Sequence, residues 1–311
     1  RKTVIDDIIS GAWGDKFFTG PPTDRRAKQS LFEDINQCPC CSSSNISPKI
    51  LIRGLSIYQC QDCSFGFQNP RVKANSVSDI YNETYVMNPV YDSSPALKLD
   101  HLKYRYGIQT AMQYLPNIHS ALDVGCGNGL SLDSYEACGI PSVTGIDPSA
   151  YTDNCLDPRI SRSFMLDIPQ NYSNLSLISL WDTLEHIHDY KHMLGSIFKA
   201  LIPGGLCLVM VPNFLSLATR LMREKSPVFQ IDHLHYFSHD SLMLSFNALG
   251  FEVVHNETVI SEIDNCRNYL EFSEPYFSSP QNDPAFNWLT PSYIHENMLG
   301  SRLLFIAKKI H

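Results

Sequence analysis

Apolar and polar positions follow two different rhythms along this chain, and the switching between them predicts a layered α/β fold. Short apolar runs at Ser120–Val124, Ser142–Ile146, Leu175–Leu180 and Leu206–Val211 read as buried strands. Between and after them, apolar residues three to four apart predict helices over Leu130–Cys138, Tyr190–Leu201 and Asp240–Leu249. Ala96–Leu115 is the clearest amphipathic stretch, and Pro116 ends it. Two later strands are predicted at Phe251–Ile260 and Arg302–Ala307. Strands alternating with helices imply a mostly parallel sheet covered on both faces. Four segments follow from this reading: 1–37 as an extended arm, 38–70 as a cysteine-bearing module, 71–119 as a mainly helical linker or substrate cap, and 120–311 as the sheet domain. Ser261–Gly300, rich in Pro, Ser, Asn and aromatic residues, reads as an insertion before the last strand.

The first predicted sheet strand runs directly into Leu122-Asp123-Val124-Gly125-Cys126-Gly127-Asn128-Gly129. Glycines here let the backbone turn tightly and approach a ligand without Cβ collisions. Dinucleotide sites use a similar turn, but with the spacing G-x-G-x-x-G. This one is G-x-G-x-G, with Asp123 two residues ahead of the first glycine. A carboxylate at the turn would repel a pyrophosphate and suits the cationic amino-acid end of S-adenosylmethionine (SAM). Asp147, followed by Pro148, ends the second strand in a carboxylate able to accept both ribose hydroxyls. Asp167 and Ile168 offer a polar contact to the adenine amine and an apolar wall, with helix capping as the alternative for Asp167. Leu180-Trp181-Asp182-Thr183-Leu184-Glu185-His186-Ile187 opens on the cofactor's methionine side, and Pro203-Gly204-Gly205 reads as a turn into the fifth strand.

Taken together, Asp-Val-Gly-Cys-Gly-Asn-Gly, Gly-Ile-Asp-Pro, Leu-Glu-His-Ile and Pro-Gly-Gly resemble the class I SAM-dependent methyltransferases over about residues 100–260. The resemblance implies a Rossmann-like seven-stranded sheet with helices on both faces and its last strand pair reversed. It implies SAM contacts at Asp123, Gly125, Cys126, Gly127, Gly129, Asp147, Pro148, Asp167, Ile168 and Trp181.

Cys38-Pro39-Cys40-Cys41 and Cys60-Gln61-Asp62-Cys63 give C-x2-C, eighteen intervening residues, and C-x2-C. That spacing fits a tetrahedral zinc site of Cys38, Cys41, Cys60 and Cys63, closed by four thiolates and therefore structural. Cys40 stands outside it, because adjacent Cys40 and Cys41 would share one ion poorly. Cys126, Cys138, Cys155, Cys207 and Cys266 read as small buried hydrophobes. A zinc module ahead of the methyltransferase motifs resembles a narrower group that acts on nucleotide-linked sugars or natural-product intermediates, among them sugar C-methyltransferases. Phe67-Gln68-Asn69-Pro70-Arg71, Ile80-Tyr81 and Tyr85 are similar to the segment joining the two parts there. Those enzymes carry a further C-terminal domain, and a Tyr where this chain has Gln230.

A hydroxyl or acidic carbon must lose a proton as it takes the methyl group, which calls for a general base. Two clusters offer one. Glu185-His186 is the first, with local capping and packing as its alternative. The second lies in Gln230-Ile231-Asp232-His233-Leu234-His235-Tyr236, where Asp232 can orient or activate His233. The resemblance places the proposed base at His233; the alternative is that His233 fixes the loop. His235 and His239 read as surface or capping residues. Tyr81, Tyr85, Tyr104 and Trp181 are candidate substrate walls or core.

Composition narrows the partners. The chain has 24 Lys and Arg against 32 Asp and Glu, a net charge of −8, with no basic run. Such a surface argues against a large nucleic-acid partner and favours a small-molecule acceptor. The alternatives are an RNA methyltransferase, which salt-dependent RNA binding would reveal, and a non-catalytic partner-binding module, which would bind no SAM. No stretch approaches the roughly 18 apolar residues of a membrane span. Arg1–Ser10, with Asp6 and Asp7, does not read as a secretory signal. Ten cysteines, four in a metal pattern, suit a reducing, cytoplasmic setting.

Overall fold

The computed structural model describes residues 12–21, 25–52, 54–77, 94–149, 156–163, 167–271 and 284–311. Ile80, Tyr81, Tyr85 and Cys155 lie outside the described residues. The chain divides into two compact units that cut it differently from the four sequence segments. One comprises residues 1–73, 212–242 and 257–303; the other comprises 74–211, 243–256 and 304–311.

In chain order, the stretch read as an extended arm holds helix α1 (Ala12–Phe17) and strands β1 (Phe18–Thr19), β2 (Arg26–Ala27) and β3 (Phe32–Glu33). Phe17, Phe18 and Phe32 are buried, so isolated aromatic anchors order a segment that has no periodicity. Next come β4 (Ile46–Ile52), β5 (Leu55–Cys60), β6 (Gly66–Gln68) and β7 (Arg71–Val72). β3 pairs antiparallel with β7, tying the arm to the end of the cysteine module.

The 71–119 segment is helical over α2 (Ser94–Tyr114). Then follow β8 (Ser120–Val124), α3 (Leu130–Ala137), β9 (Ser142–Asp147), β10 (Ile160–Arg162) and β11 (Leu175–Trp181). β11 is buried at every position, as a strand covered on both faces must be. Helix α4 (Tyr190–Ala200) buries Tyr190, Met193, Leu194 and Ile197, one stripe at helical spacing, and Asp189 caps it by accepting from the His192 amide. Strand β12 (Leu201–Pro212) starts earlier than its apolar run predicts. Pro203-Gly204-Gly205 is therefore not a turn outside the strand. The pairing with β11 slips between Leu175 and Leu177, and the extra residues sit inside β12 with Gly204 at φ 79°.

The remaining elements are α5 (Leu217–Met222), β13 (His235–Tyr236), α6 (His239–Ala248), β14 (Phe251–Val259), α7 (Ile263–Glu271), α8 (Pro291–Glu296) and β15 (Arg302–Lys309). The principal sheet has the order β10-β9-β8-β11-β12-β15-β14. β8 to β12 are mutually parallel where they pair. The last strand of the chain inserts between the fifth and sixth, the reversal that the sequence motifs implied. The insertion before it contributes Cys266, Leu289 and Ile294 to a small apolar cluster with Ala218 of α5.

A second sheet, β13-β6-β5-β4, belongs to the cysteine-bearing unit. β13 corrects the reading of His235 as a surface residue: His235 is paired opposite Phe67, buried, and 5.5 Å from the Phe65 ring. A two-residue strand gives no periodicity of its own, so only its docking onto β6 marks it.

Candidate functional site

The glycine turn leaves the carboxyl end of β8, beside the point between β8 and β11 where the strand order reverses, the usual place for a ligand in a parallel sheet. The glycine turn is locked to β9 by two bonds, because the Gly125 and Cys126 amides both donate to the Ile146 carbonyl, at 2.8 and 3.2 Å. Asp147 is buried; its Oδ2 accepts from the Gly127 amide and its Oδ1 from the Ser149 amide, each at 2.9 Å. Each carboxylate oxygen keeps acceptor capacity beyond that one bond. Pro148 continues the turn, and its carbonyl accepts from Arg162 Nε at 3.3 Å.

The three glycines do different work. A Cβ on Gly125 would meet Thr183 at 2.5 Å and one on Gly129 would meet Ile160 at 2.7 Å, so both are packing requirements. Gly127, at φ 53°, has nothing within 4 Å of where its Cβ would stand. Open space over a partly exposed glycine, beside a fixed carboxylate, is the cradle a SAM molecule requires, and the residues present fit it.

Asp123, in β8, lies two residues before the first glycine of the turn. It is buried and accepts hydrogen bonds from the Ser131 and Ser179 hydroxyls. Burial pushes its carboxyl up to about 7, against the opposing pull of those two donors. The same network runs on through the Tyr135 hydroxyl, which donates to Ser179 and accepts from Trp181 Nε1 at 3.1 Å. Trp181 is thus held edge-on to Tyr104, ring centres 5.1 Å apart. Nearby, Lys103 of α2 pairs with Asp182 at 2.7 Å and with Asp100 at 3.1 Å. The sequence reading passed over Lys103; its only local signal is Asp100 one helical turn earlier. Asp167 is exposed and pairs with His192 at 2.7 Å, while Ile168 is buried. Glu185 is buried, and the partly buried His186 ring lies 4.0 Å from its carboxylate.

The four cysteines of the C-x2-C pairs come together, with all four sulfurs within 4.8 Å of one another. Cys38 Sγ lies 3.5 Å from Cys63 Sγ, and Cys41 Sγ lies 3.5 Å from Cys60 Sγ. Sulfurs on a tetrahedral zinc, each about 2.3 Å from the ion, would stand ~3.8 Å apart, so the donor set fits zinc. Both pairs are built on the same turn. The Ser42 amide donates to the Cys38 carbonyl and the Ser64 amide to the Cys60 carbonyl, with φ of 62° and 59°. The crowding shows in the thiols: a hydrogen bond from Cys63 draws Cys38 down to about 5, and the same contact drives Cys63 up. Burial pushes Cys41 up to about 11. Cys40 points elsewhere, its thiol toward the Ser241 carbonyl at 3.6 Å.

His233 and Asp232 are buried in the loop between α5 and β13. The residue that holds them is Gln68, at the end of β6. Its Nε2 donates to the carbonyls of Gln230, Ile231 and His233 at 3.0, 2.8 and 2.9 Å. Gln68 is fully buried, and nothing in its sequence neighbourhood announces this role. Gln68→Ala leaves three carbonyls short of a donor. It should cost about 1–3 kcal/mol of stability and lower kcat while SAM affinity is unchanged. Denaturant unfolding and steady-state kinetics measure both, and an unaltered kcat would reduce Gln68 to a purely structural residue.

Known proteins resemble parts of this sequence and its fold. The chain is 29% identical over 104 residues to the ubiquinone biosynthesis O-methyltransferase of Psychrobacter cryohalolentis, a match covering 30% of this chain and 40% of that protein. The match thus spans less than half the length of that relative. Among solved structures, a SAM-dependent methyltransferase from Archaeoglobus fulgidus is 17% identical with a TM-score of 0.50, covering 73% of this chain and 99% of that one. An S-adenosylmethionine-dependent methyltransferase from Clostridium acetobutylicum is 11% identical with a TM-score of 0.46, covering 73% and 99%. The sequence profile of the methyltransferase domain family matches residues 99–256, half of the chain. The chain belongs to that family and carries a methyltransferase domain.

Proposed function

We propose that this protein transfers a methyl group from SAM to a small-molecule acceptor, a nucleotide-linked sugar or another natural-product intermediate. The observation that carries the reading is Gly127, open on its Cβ side beside a carboxylate already fixed to the glycine turn. When bound, SAM supplies an electrophilic methyl group on a sulfonium. The chain supplies alignment: the Gly125–Gly129 backbone admits the cofactor and Asp147 accepts its ribose hydroxyls. The His233 imidazole takes the acceptor's proton, with Asp232 orienting it and Gln68 holding its backbone in place. Glu185 and His186 are the second candidates for that step. Cys38, Cys41, Cys60 and Cys63 hold a structural zinc ion, whose closed coordination keeps it out of the chemistry.

A net charge of −8 supports a small acceptor over a nucleic acid. Among the described residues no helix is long and apolar enough to cross a membrane. The cysteine pattern, four at metal spacing and the others scattered, supports a reducing, cytoplasmic setting.

The test is product analysis by mass spectrometry after incubation with SAM and a panel of nucleotide-linked keto- and hydroxy-sugars. Transfer of one methyl group is the expected result. Failure to bind SAM in calorimetry would overturn the reading. Asp147→Ala should weaken SAM binding roughly tenfold or more, because a charged acceptor of the ribose and the clamp on Gly127 go together. An unchanged Kd would take Asp147 out of the site.

A further inference from the structure

A cavity of about 510 Å³ opens in the cysteine-bearing unit, and its lining is cationic although the chain as a whole is acidic. Lys49, Arg220 and Arg223 stand around it, all exposed, and the buried residues Phe214, Phe229 and Thr219 form its floor. Its size falls within the roughly 300–1,000 Å³ of small-molecule sites. Three cations around a concavity that also has apolar walls fit one ligand chemistry: a polyanion joined to a flat ring.

Two backbone irregularities put the cations there. Pro48 pairs with Tyr58 and Ile50 with Ile57, so Lys49 is the extra residue of a bulge in the edge strand β4. Bulges of this kind re-aim a side chain. Arg223 has φ 50° and ψ −129°, a left-handed conformation that favours glycine. Strained non-glycine residues cluster at active sites and ligand clamps. Neither Lys49 nor Arg220 has an ion pair among the described residues, and Arg223 has only a 4.0 Å contact with its neighbour Glu224. A solvated basic surface would need neither a bulge nor a strained residue.

We propose that this cavity binds a nucleoside diphosphate group, its phosphates on Lys49, Arg220 and Arg223 and its base against the partly exposed apolar side chains of Ile50 and Leu215. The choice of ligand rests on the small-molecule reading above, and the assignment gives that acceptor its handle. Arginine forks match phosphate oxygens two at a time, and lysine adds a point charge. The ring needs only an apolar face, so the site accepts the class without naming the base.

The full chain is titrated calorimetrically with uridine diphosphate and thymidine diphosphate, with inorganic pyrophosphate and a short single-stranded RNA as comparisons, and with SAM in a separate titration. A nucleoside diphosphate should bind more tightly than pyrophosphate, and its affinity should fall as salt rises. Lys49→Ala and Arg220→Ala, both at exposed positions, should each weaken it about tenfold or more. Arg220→Lys should recover only part of the loss. No binding by folded protein, equal affinity in the Lys49→Ala, Arg220→Ala double variant, or RNA bound more tightly than the nucleotide would each overturn the proposal. SAM binding without nucleotide binding rejects the cavity alone; nucleotide binding without SAM binding rejects the methyltransferase reading and leaves the cavity standing.

Discussion

Cys38→Ser is expected to release zinc and to disorder both the cysteine module and the loop that carries His233. Structural zinc contributes about 10–16 kcal/mol to small modules at pH 7, as much as the entire stability of an ordinary domain. The sheet β13-β6-β5-β4 is too small to replace that from its own apolar contacts. The sequence alone predicts damage confined to residues 38–70. The structure extends it, because β6 pairs with β13 and Gln68 holds the carbonyls of 230, 231 and 233. Ser238 also donates to the Cys63 carbonyl at 3.4 Å, a further tie from the cysteine turn to the start of α6. The seven-stranded sheet has its own core, so SAM binding should survive. Elemental analysis and amide hydrogen exchange measure the two halves of this result. Cys40→Ser is the control: its thiol faces Ser241, and zinc should be retained. Wild-type protein that purifies without zinc would sink the metal assignment. Native protection across 55–68 and 230–237 in zinc-free Cys38→Ser would sink the structural role.

What could be read from sequence follows from which signals are local. β11 was legible because Leu175, Leu177, Ile178 and Leu180 form an apolar run too short for a helix. The glycine turn was legible because its spacing is itself the geometry. The zinc pairs were legible because each C-x2-C turn closes on itself, Ser42 to Cys38 and Ser64 to Cys60. β10 was not, since a three-residue edge strand with two exposed positions shows no apolar run. Pro203-Gly204-Gly205 was misplaced because its residues favour a turn, while pairing with β11 carries them inside a strand. Asp123 illustrates a deeper limit. Its position in the motif was clear, but its partners Ser131 and Ser179 lie 8 and 56 residues away, and only the fold brings them to it. Gln68 is the same case at a separation of 162 to 165 residues.

His233→Ala is expected to lower turnover about 10²–10⁴-fold while leaving SAM affinity nearly unaltered. The loss follows if the acceptor is a hydroxyl or an acidic carbon, whose proton must leave as the new bond to the methyl carbon forms. A neutral imidazole nitrogen can take that proton, and Asp232, next in the chain, can orient the ring. The side chain is buried at 7% exposure, and its own carbonyl is fixed by Gln68 at 2.9 Å. A base held in this way loses little entropy when the acceptor arrives, which is what positioning contributes to rate. SAM affinity should not follow, because the residues proposed for the cofactor, among them Asp147 and the glycine turn, lie in 123–149. Two outcomes need separating, since a buried histidine can also matter only for the loop's shape. His233→Asn keeps a polar group of similar reach that hydrogen-bonds but does not accept the proton. Turnover as low as in the alanine variant, with native stability, identifies a base. Near wild-type turnover in His233→Asn makes His233 a positioning residue, and the proton then goes to Glu185 or His186, or the acceptor is one that has no proton to lose.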